Sequence, residues 1–376
     1  MMTSFSNCTF LLFAVVVVAV AACVSTCAAA TTATAGTAVS HHWVFQTNAS
    51  IVYSHMSMIE ALPDGTLVAA FQGSSLSEGC NDQAIFFTSS KDGGVTWAPA
   101  VVAQNDTLAL WGPVLRFDKA TNKLWLFFSA STKYQNRDKP GCGSFKRSYP
   151  GGEVRYVTST DGGATWTNPV VILPFEARGQ VSKVTANHMI ITATGRWMLP
   201  FWQEPRTVYD KGLSASGVLV SDDNGTTWTT RGSIHNNSTW LIENTLHQFQ
   251  DSSLIQLFRT QAGYIYESWS TDNGNTWTTA MPSSLLNPNS KVCLTRGSVN
   301  GSAILAYNPS KTARTPLVLA QSSLTGHTWT TTASLDNDPN MSFEYPTPLL
   351  HAGRVFTTYS ANSSKGIKLA ISPISS

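Results

Sequence analysis

The chain has few charges, few cysteines and no long basic run. Only 12% of its 376 residues are Asp, Glu, Lys or Arg, about half the roughly 25% of an ordinary soluble domain. A long helix or coiled coil needs more Glu, Lys and Arg than this. Disorder needs low hydrophobicity with high net charge, whereas this chain is 42% hydrophobic with a formal charge of +2. With 24 basic against 22 acidic residues and no Lys/Arg cluster, the electrostatic footprint that a phosphate backbone demands is missing, so nucleic acid is set aside as a partner. No metal-ligand spacing and no dinucleotide fingerprint occurs, so no metal site and no cofactor is expected. Ser, Thr, Asn, Gly and Trp are abundant, which favours strands and turns.

The first 59 residues contain no charged side chain, and Phe10 to Ala22 is an apolar run of 13 followed by small residues up to Ala30. The run is short for a membrane span and reads as a secretory signal over 1–30, then a short linker over 31–42, without a transmembrane domain in the mature chain. A lipoprotein signal ending at Cys23 and an uncleaved anchor are the alternatives. The expected destination is extracellular, with the cell surface or a lysosome-like compartment as variants. Eight Asn-x-Ser/Thr sites outside this segment, at Asn48, Asn105, Asn224, Asn236, Asn237, Asn300, Asn340 and Asn362, agree mildly with a glycoprotein. Beyond the signal, Cys80, Cys142 and Cys293 are too few for a disulfide scaffold. Cys80 and Cys142 suit a bridge between loops, which leaves Cys293 as a buried thiol.

Two interleaved repeats carry most of the information. Ser-x-Asp-x-Gly-x-Thr-Trp occurs intact at Ser90–Trp97, Ser159–Trp166, Ser221–Trp228 and Ser270–Trp277, and once more at Ser322–Trp329 with Leu324 in place of Asp. Each follows a strand-like run and reads as a tight hairpin turn: Asp accepts backbone N–H groups, Gly takes positive φ and Trp anchors the turn. Upstream of each box, and once more near the C-terminus, a turn is followed by an apolar strand. These six turns, at Asp64, Thr121, Thr194, Asp251, Asn300 and Ala352, are 57, 73, 57, 49 and 52 residues apart. Such spacings suit a four-stranded unit, and a ring of six units is an all-β, six-bladed β-propeller over residues 43–376. The last unit lacks an outer strand, which the run Val44–Tyr53 is expected to supply.

Within a unit, strand A precedes the turn, B follows it, C ends in the box and D follows the box. Antiparallel pairing then places the boxes on one face and the start of A with the end of B on the other, at the mouth of the central channel. Counting back from the turns brings His55, Trp111, Asn187, Glu243, Arg296 or its neighbours, and Tyr345 to that mouth. The loops after B add Glu78, Asp82, Glu204, Arg259 and Arg314. Rim residues facing a wet channel are polar in any propeller, but this one is both acid-rich and arginine-rich.

The boxes together with these mouth residues resemble the sialidase (neuraminidase) superfamily. The resemblance rests on Glu243 sixteen residues before Arg259, on Asn308-Pro309 leading to Arg314 about thirty residues before Tyr345, and on Glu344-Tyr345-Pro346. It implies a Tyr345 nucleophile with Glu243 as its base, Arg259 and Arg314 as two members of a carboxylate-binding arginine triad, and an acid from the loop after the first B strand. Glu78 and Asp82 both fit that last role. Trp111, Asn187 and Glu204 join the substrate-binding set. A neutral Tyr suits a sugar whose anomeric carbon bears a carboxylate, because a carboxylate nucleophile would be repelled. The chain departs from the pattern at His55, where the first triad arginine belongs, and at Ser360, where that arginine's glutamate partner belongs. The implied activity is a secreted exo-glycosidase acting on sialic acid or a related acidic sugar of a glycoconjugate. A uronate-directed lyase or hydrolase and a noncatalytic glycan-binding propeller are the alternatives.

Overall fold

The computed structural model describes residues 38–133, 136–137, 141–204, 214–299 and 301–374. The signal reading over 1–30 and the sequon at Asn300 lie outside these residues. Among them no helix is long and apolar enough to cross a membrane.

Six antiparallel sheets follow one another along the chain, each with the A-B-C-D order inferred from the repeats. Their innermost strands are Tyr53–Ala61, Leu110–Asp118, Ser182–Val184 continued by Ile190–Ile191, Ile242–Gln248, Cys293–Arg296 and Phe343–His351. The first of these packs against both the second and the last, so the sheets close into a ring around a channel. Each sheet is covered on both faces by its neighbours, which is why the B strands are apolar and buried along their length, as in Leu67–Ser74. The outer D strands are half wet, and Val101, Val102 and Met281 are exposed there.

The box turns form as expected and also join the blades. In the first, the Asp92 carboxylate accepts from the Ser90 hydroxyl and from the backbone N–H and hydroxyl of Thr96, while Trp97 Nε1 donates to Gly94 O at 3.1 Å. These donors hold the carboxyls of Asp92, Asp223 and Asp272 down at about 2, although burial opposes them at Asp272. The box glycine is required twice over. Its φ is +91° at Gly94 and +79° at Gly274, and a Cβ there would lie 2.6 Å from Leu369 and 2.2 Å from Met198, both in the preceding blade.

Ring closure uses the N-terminal strand, with a different extent from the one expected. Ser40–Gln46 pairs antiparallel with Gly366–Pro373, from Ser40 opposite Ile371 to Gln46 opposite Gly366. The run Val44–Tyr53 is interrupted because Asn48 Oδ1 accepts the N–H groups of Ser50 and Ile51 in a local turn, and Tyr53 already begins the first blade.

The boxes share a face with the A–B turns, as Arg196 beside the third turn donates to Asn273 O and Asn275 Oδ1 of the fourth blade's box. The opposite face is the mouth. Cys80 and Cys142 are bonded there, joining the loop after the first B strand to the loop after the second, and Cys293 is a buried free thiol.

Candidate functional site

The mouth is built on a repeated irregularity of the inner strands. In four blades strand A slips register against B, between His55 and Met58, Trp111 and Val114, Ile242 and Thr245, and Glu344 and Thr347. The residue in the bulge takes a left-handed backbone: Met56 at φ +52°, Gly112 at +54°, Glu243 at +52° and Tyr345 at +55°. At Gly112 a Cβ would stand 1.7 Å from Thr185 O, so only glycine fits. The other three positions carry side chains in a conformation that costs about 1–3 kcal/mol each, and two of them are the residues singled out as nucleophile and base.

Their geometry is close. Tyr345 Oη donates to Glu243 Oε1 at 2.5 Å, and Arg259 Nη1 donates to that same oxygen at 2.8 Å and to Tyr345 Oη at 2.7 Å. Both Glu243 and Tyr345 are buried, and Glu243 Oε2 has no partner among the described residues. Burial, opposed by Arg259 and reinforced by Glu243 and Glu78, lifts the Tyr345 hydroxyl well above its ordinary value. Burial also disfavours the Arg259 charge, but Glu243 and Tyr345 outweigh it and raise its pKa.

Two buried side chains hold the bulges from behind. Asn187 Nδ2 donates to Glu243 O at 2.9 Å and to Asn244 O at 3.1 Å. Lys291 Nζ donates to Pro346 O at 2.8 Å and to Thr347 Oγ1 at 3.1 Å, immediately after Tyr345. Asn187 therefore acts on the backbone of Glu243 and not on a ligand. Nothing in the sequence pointed to Lys291, because a lone lysine between a polar turn, Asn287-Pro288-Asn289-Ser290, and an apolar strand carries no motif.

The arginines are partly engaged. Arg259 Nε donates to Asn289 Oδ1 at 2.8 Å, Arg314 Nη2 to Asn289 O at 2.9 Å, and Arg314 Nη1 pairs with Glu344 Oε2 at 3.1 Å. Asn289, itself at φ +57°, thus stands at the mouth position of the fifth blade. Arg296 does not: it ends strand Cys293–Arg296 at the opposite face, since it stands only four residues before the turn and the mouth position lies further back.

His55 is buried beside Tyr345, with ring centroids 4.0 Å apart, and its Nδ1 lies 2.8 Å from Ser360 Oγ and 3.0 Å from Ser364 Oγ. A His–Ser pair thus occupies the place of the expected Arg–Glu pair. Burial, and then Arg314, Arg259 and Lys291, push the imidazole down to about 3, so it is uncharged at any working pH.

The carboxyl groups differ in their surroundings. Asp82 binds its own loop, accepting from Ser74 Oγ at 2.9 Å, Ser75 N at 2.8 Å and Ser75 Oγ at 2.6 Å. Glu78 is the exposed carboxyl at this mouth, and desolvation raises its pKa with Tyr53 and Arg147 opposing. Its loop is pinned through Arg147 Nε to Glu78 O at 2.7 Å, Ser148 N to Gly79 O at 2.7 Å, and the disulfide. Glu204 accepts from Trp202 Nε1 at 2.6 Å, and burial lifts it to about 7. Trp111 is buried and donates to Ser131 Oγ at 2.8 Å, so it forms the wall. Among the described residues, no group of His, Cys, Asp and Glu is placed to hold a metal.

The sequence profile of the BNR repeat-like domain matches residues 65–356. The chain belongs to that family. No curated protein sequence matches it. Among solved structures, a Dyadobacter fermentans protein of unknown function superposes with TM-score 0.72 at 16% identity, over 90% of this chain and 99% of that one. A single-site mutant of NanB sialidase from Streptococcus pneumoniae gives 0.67 at 14%, over 88% and 70%. The intramolecular trans-sialidase from Ruminococcus gnavus, in complex with oseltamivir carboxylate, gives 0.66 at 16%, over 88% and 96%. At such identities the likeness to this BNR-family chain is one of fold.

Proposed function

We propose that this BNR-family propeller is an exo-glycosidase that removes sialic acid or a related acidic sugar from a glycoconjugate. The observation that carries the reading is the triangle of Tyr345, Glu243 and Arg259, with 2.5 Å between the hydroxyl and the carboxylate. Tyr345 Oη attacks the anomeric carbon as its proton passes to Glu243 Oε1, and the glycosidic C–O bond breaks. Glu78, kept protonated to higher pH than an ordinary carboxyl, gives its proton to the departing oxygen. Water then attacks the anomeric carbon as Glu78 takes its proton, and Tyr345 Oη leaves with the bonding pair and regains its proton from Glu243. Arg259 and Arg314 receive the sugar carboxylate, which competes with Glu344 for Arg314.

The protein works in an oxidising compartment on this reading, because the Cys80–Cys142 bond that pins the Glu78 loop persists there. The lyase alternative needs a base, and an imidazole lowered to about 3 is a poor one, which favours hydrolysis. Release of a fluorogenic aglycone from a sialoside tests the proposal. Turnover by the wild type, lost by orders of magnitude in both Tyr345→Phe and Glu243→Gln with little further loss in the double variant, is the expected result. Glycan binding without turnover would make this a binding propeller, and multiplicative losses would break the pair.

A further inference from the structure

At the end of the channel opposite the mouth, the inner strands surround a cavity of about 390 Å³. Each of the six blades contributes one ionisable side chain to its lining: Glu60, Arg116, His188, His247, Arg296 and His351, in chain order. Lys119 adds a further cation. Arg116 in the second blade and Arg296 in the fifth stand across a six-membered ring from each other.

The charges in this ring do not cancel. Glu60 accepts from Ala61 N at 2.9 Å and Phe117 N at 3.3 Å, and burial raises its pKa against the opposing charges of Arg116 and Lys119, so one carboxyl faces more cations than it can balance. His188 and His247 have Nε2 at 2.8 Å from Pro348 O and 3.4 Å from Gly301 O. Burial lowers both rings to about 4, so they stay neutral near pH 7. Among the described residues, Arg116, Lys119 and Arg296 enter no ion pair. Arg116 Nε is buried and meets no acceptor, whereas buried charged donors in folded proteins are ordinarily satisfied. Cations gathered around one concave opening, with a guanidinium nitrogen left over, need an anion.

We propose that this cavity is a second binding site, for a small oxyanion (phosphate, sulfate or the carboxylate of an acidic sugar), held by Arg116 and Lys119 with Arg296 facing it. The site is independent of the chemistry at the mouth and stands whether or not that chemistry is as proposed. Arg116 supplies a planar donor fork and Lys119 a point charge, and exposure at the rim gives a hydrated anion access.

Calorimetric titration of the full chain at low ionic strength with inorganic phosphate, sulfate and glucuronate tests the site and separates the three sources. We expect millimolar binding of at least one anion, weakened about tenfold or more in Arg116→Gln and in the exposed Lys119→Gln. Crystals soaked in selenate should show an anomalous peak beside Arg116. Absence of binding by all three anions, equal affinity in wild type and Lys119→Gln, or a selenate peak confined to the mouth would each overturn the assignment. Because Lys119 is exposed, its variant keeps the test decisive even if Arg116→Gln unfolds.

Discussion

Replacing Asn187 by Leu should disable the site without touching a ligand. The side chain is fully buried, and its amide donates to two carbonyls, Glu243 O at 2.9 Å and Asn244 O at 3.1 Å. Leucine fills a similar volume but leaves both acceptors unpaired, at about 1–3 kcal/mol each. Part of this is recovered, because Asn187 Oδ1 is itself buried without a partner in the native site. The net loss should be about 2–4 kcal/mol, read as a lower urea midpoint at unchanged m. Freed from the clamp, the backbone at Glu243 can leave φ +52°, and the carboxylate then moves off the Tyr345 hydroxyl. A displacement near 1 Å costs about 10²-fold in rate, so kcat should fall by that factor while KM stays within about twofold. Asn187→Asp, which keeps the shape but turns an acceptor toward both carbonyls, should lose at least as much as leucine. A KM effect as large as the kcat effect would place Asn187 against the substrate. A variant with native kcat and a stability loss under about 0.5 kcal/mol would show that the bulge needs no clamp.

Three further outcomes are expected. Cys80→Ser with Cys142→Ser should lower stability by up to about 4 kcal/mol in denaturant titrations, from the 62-residue separation, and should lower kcat by loosening the Glu78 loop. Glu204, lifted to about 7 by burial, ionises as pH rises through neutrality and adds negative charge beside Glu243 and Glu78. Affinity for an anionic sugar should therefore fall over that window in the wild type, and the fall should flatten in Glu204→Gln; superimposable profiles would remove Glu204 from the site. His55→Arg should destabilise the protein, because a buried guanidinium would face Ser360 with no carboxylate, and adding Ser360→Glu should restore both stability and carboxylate affinity. If His55→Arg alone gains affinity at no cost in melting temperature, the pairing argument is wrong.

The number of blades, the place of every box and the blade that lacked an outer strand were legible in the chain, because each rests on a turn whose donors and acceptors lie within a few residues. Asp92 reaches Ser90 and Thr96, and Gly94 takes its positive φ, whatever the rest of the ring does. Turn arithmetic also carried Tyr345, Glu243 and Arg259 to one mouth. Counting failed twice: it put Arg296, only four residues before its turn, at the mouth, and it ran the closing strand through a turn nucleated by Asn48. Spacing counted back from Ser90 lands on Glu78 while residue type favours Asp82, so the sequence leaves both open. That choice depends on what each carboxyl meets, and Asp82 is consumed by Ser74 and Ser75. The support for the site is still further from local pattern. His55 finds Ser360 across 305 residues, Lys291 finds Pro346 across 55, and six separate blades bring their ionisable residues to the far opening. A repeat determines which strands form, because that is a matter of neighbours along the chain. Which way a side chain turns, and what pairs with it, is decided only when the bulged inner strands meet around the channel, where left-handed backbone and buried partners from other blades set each side chain's direction.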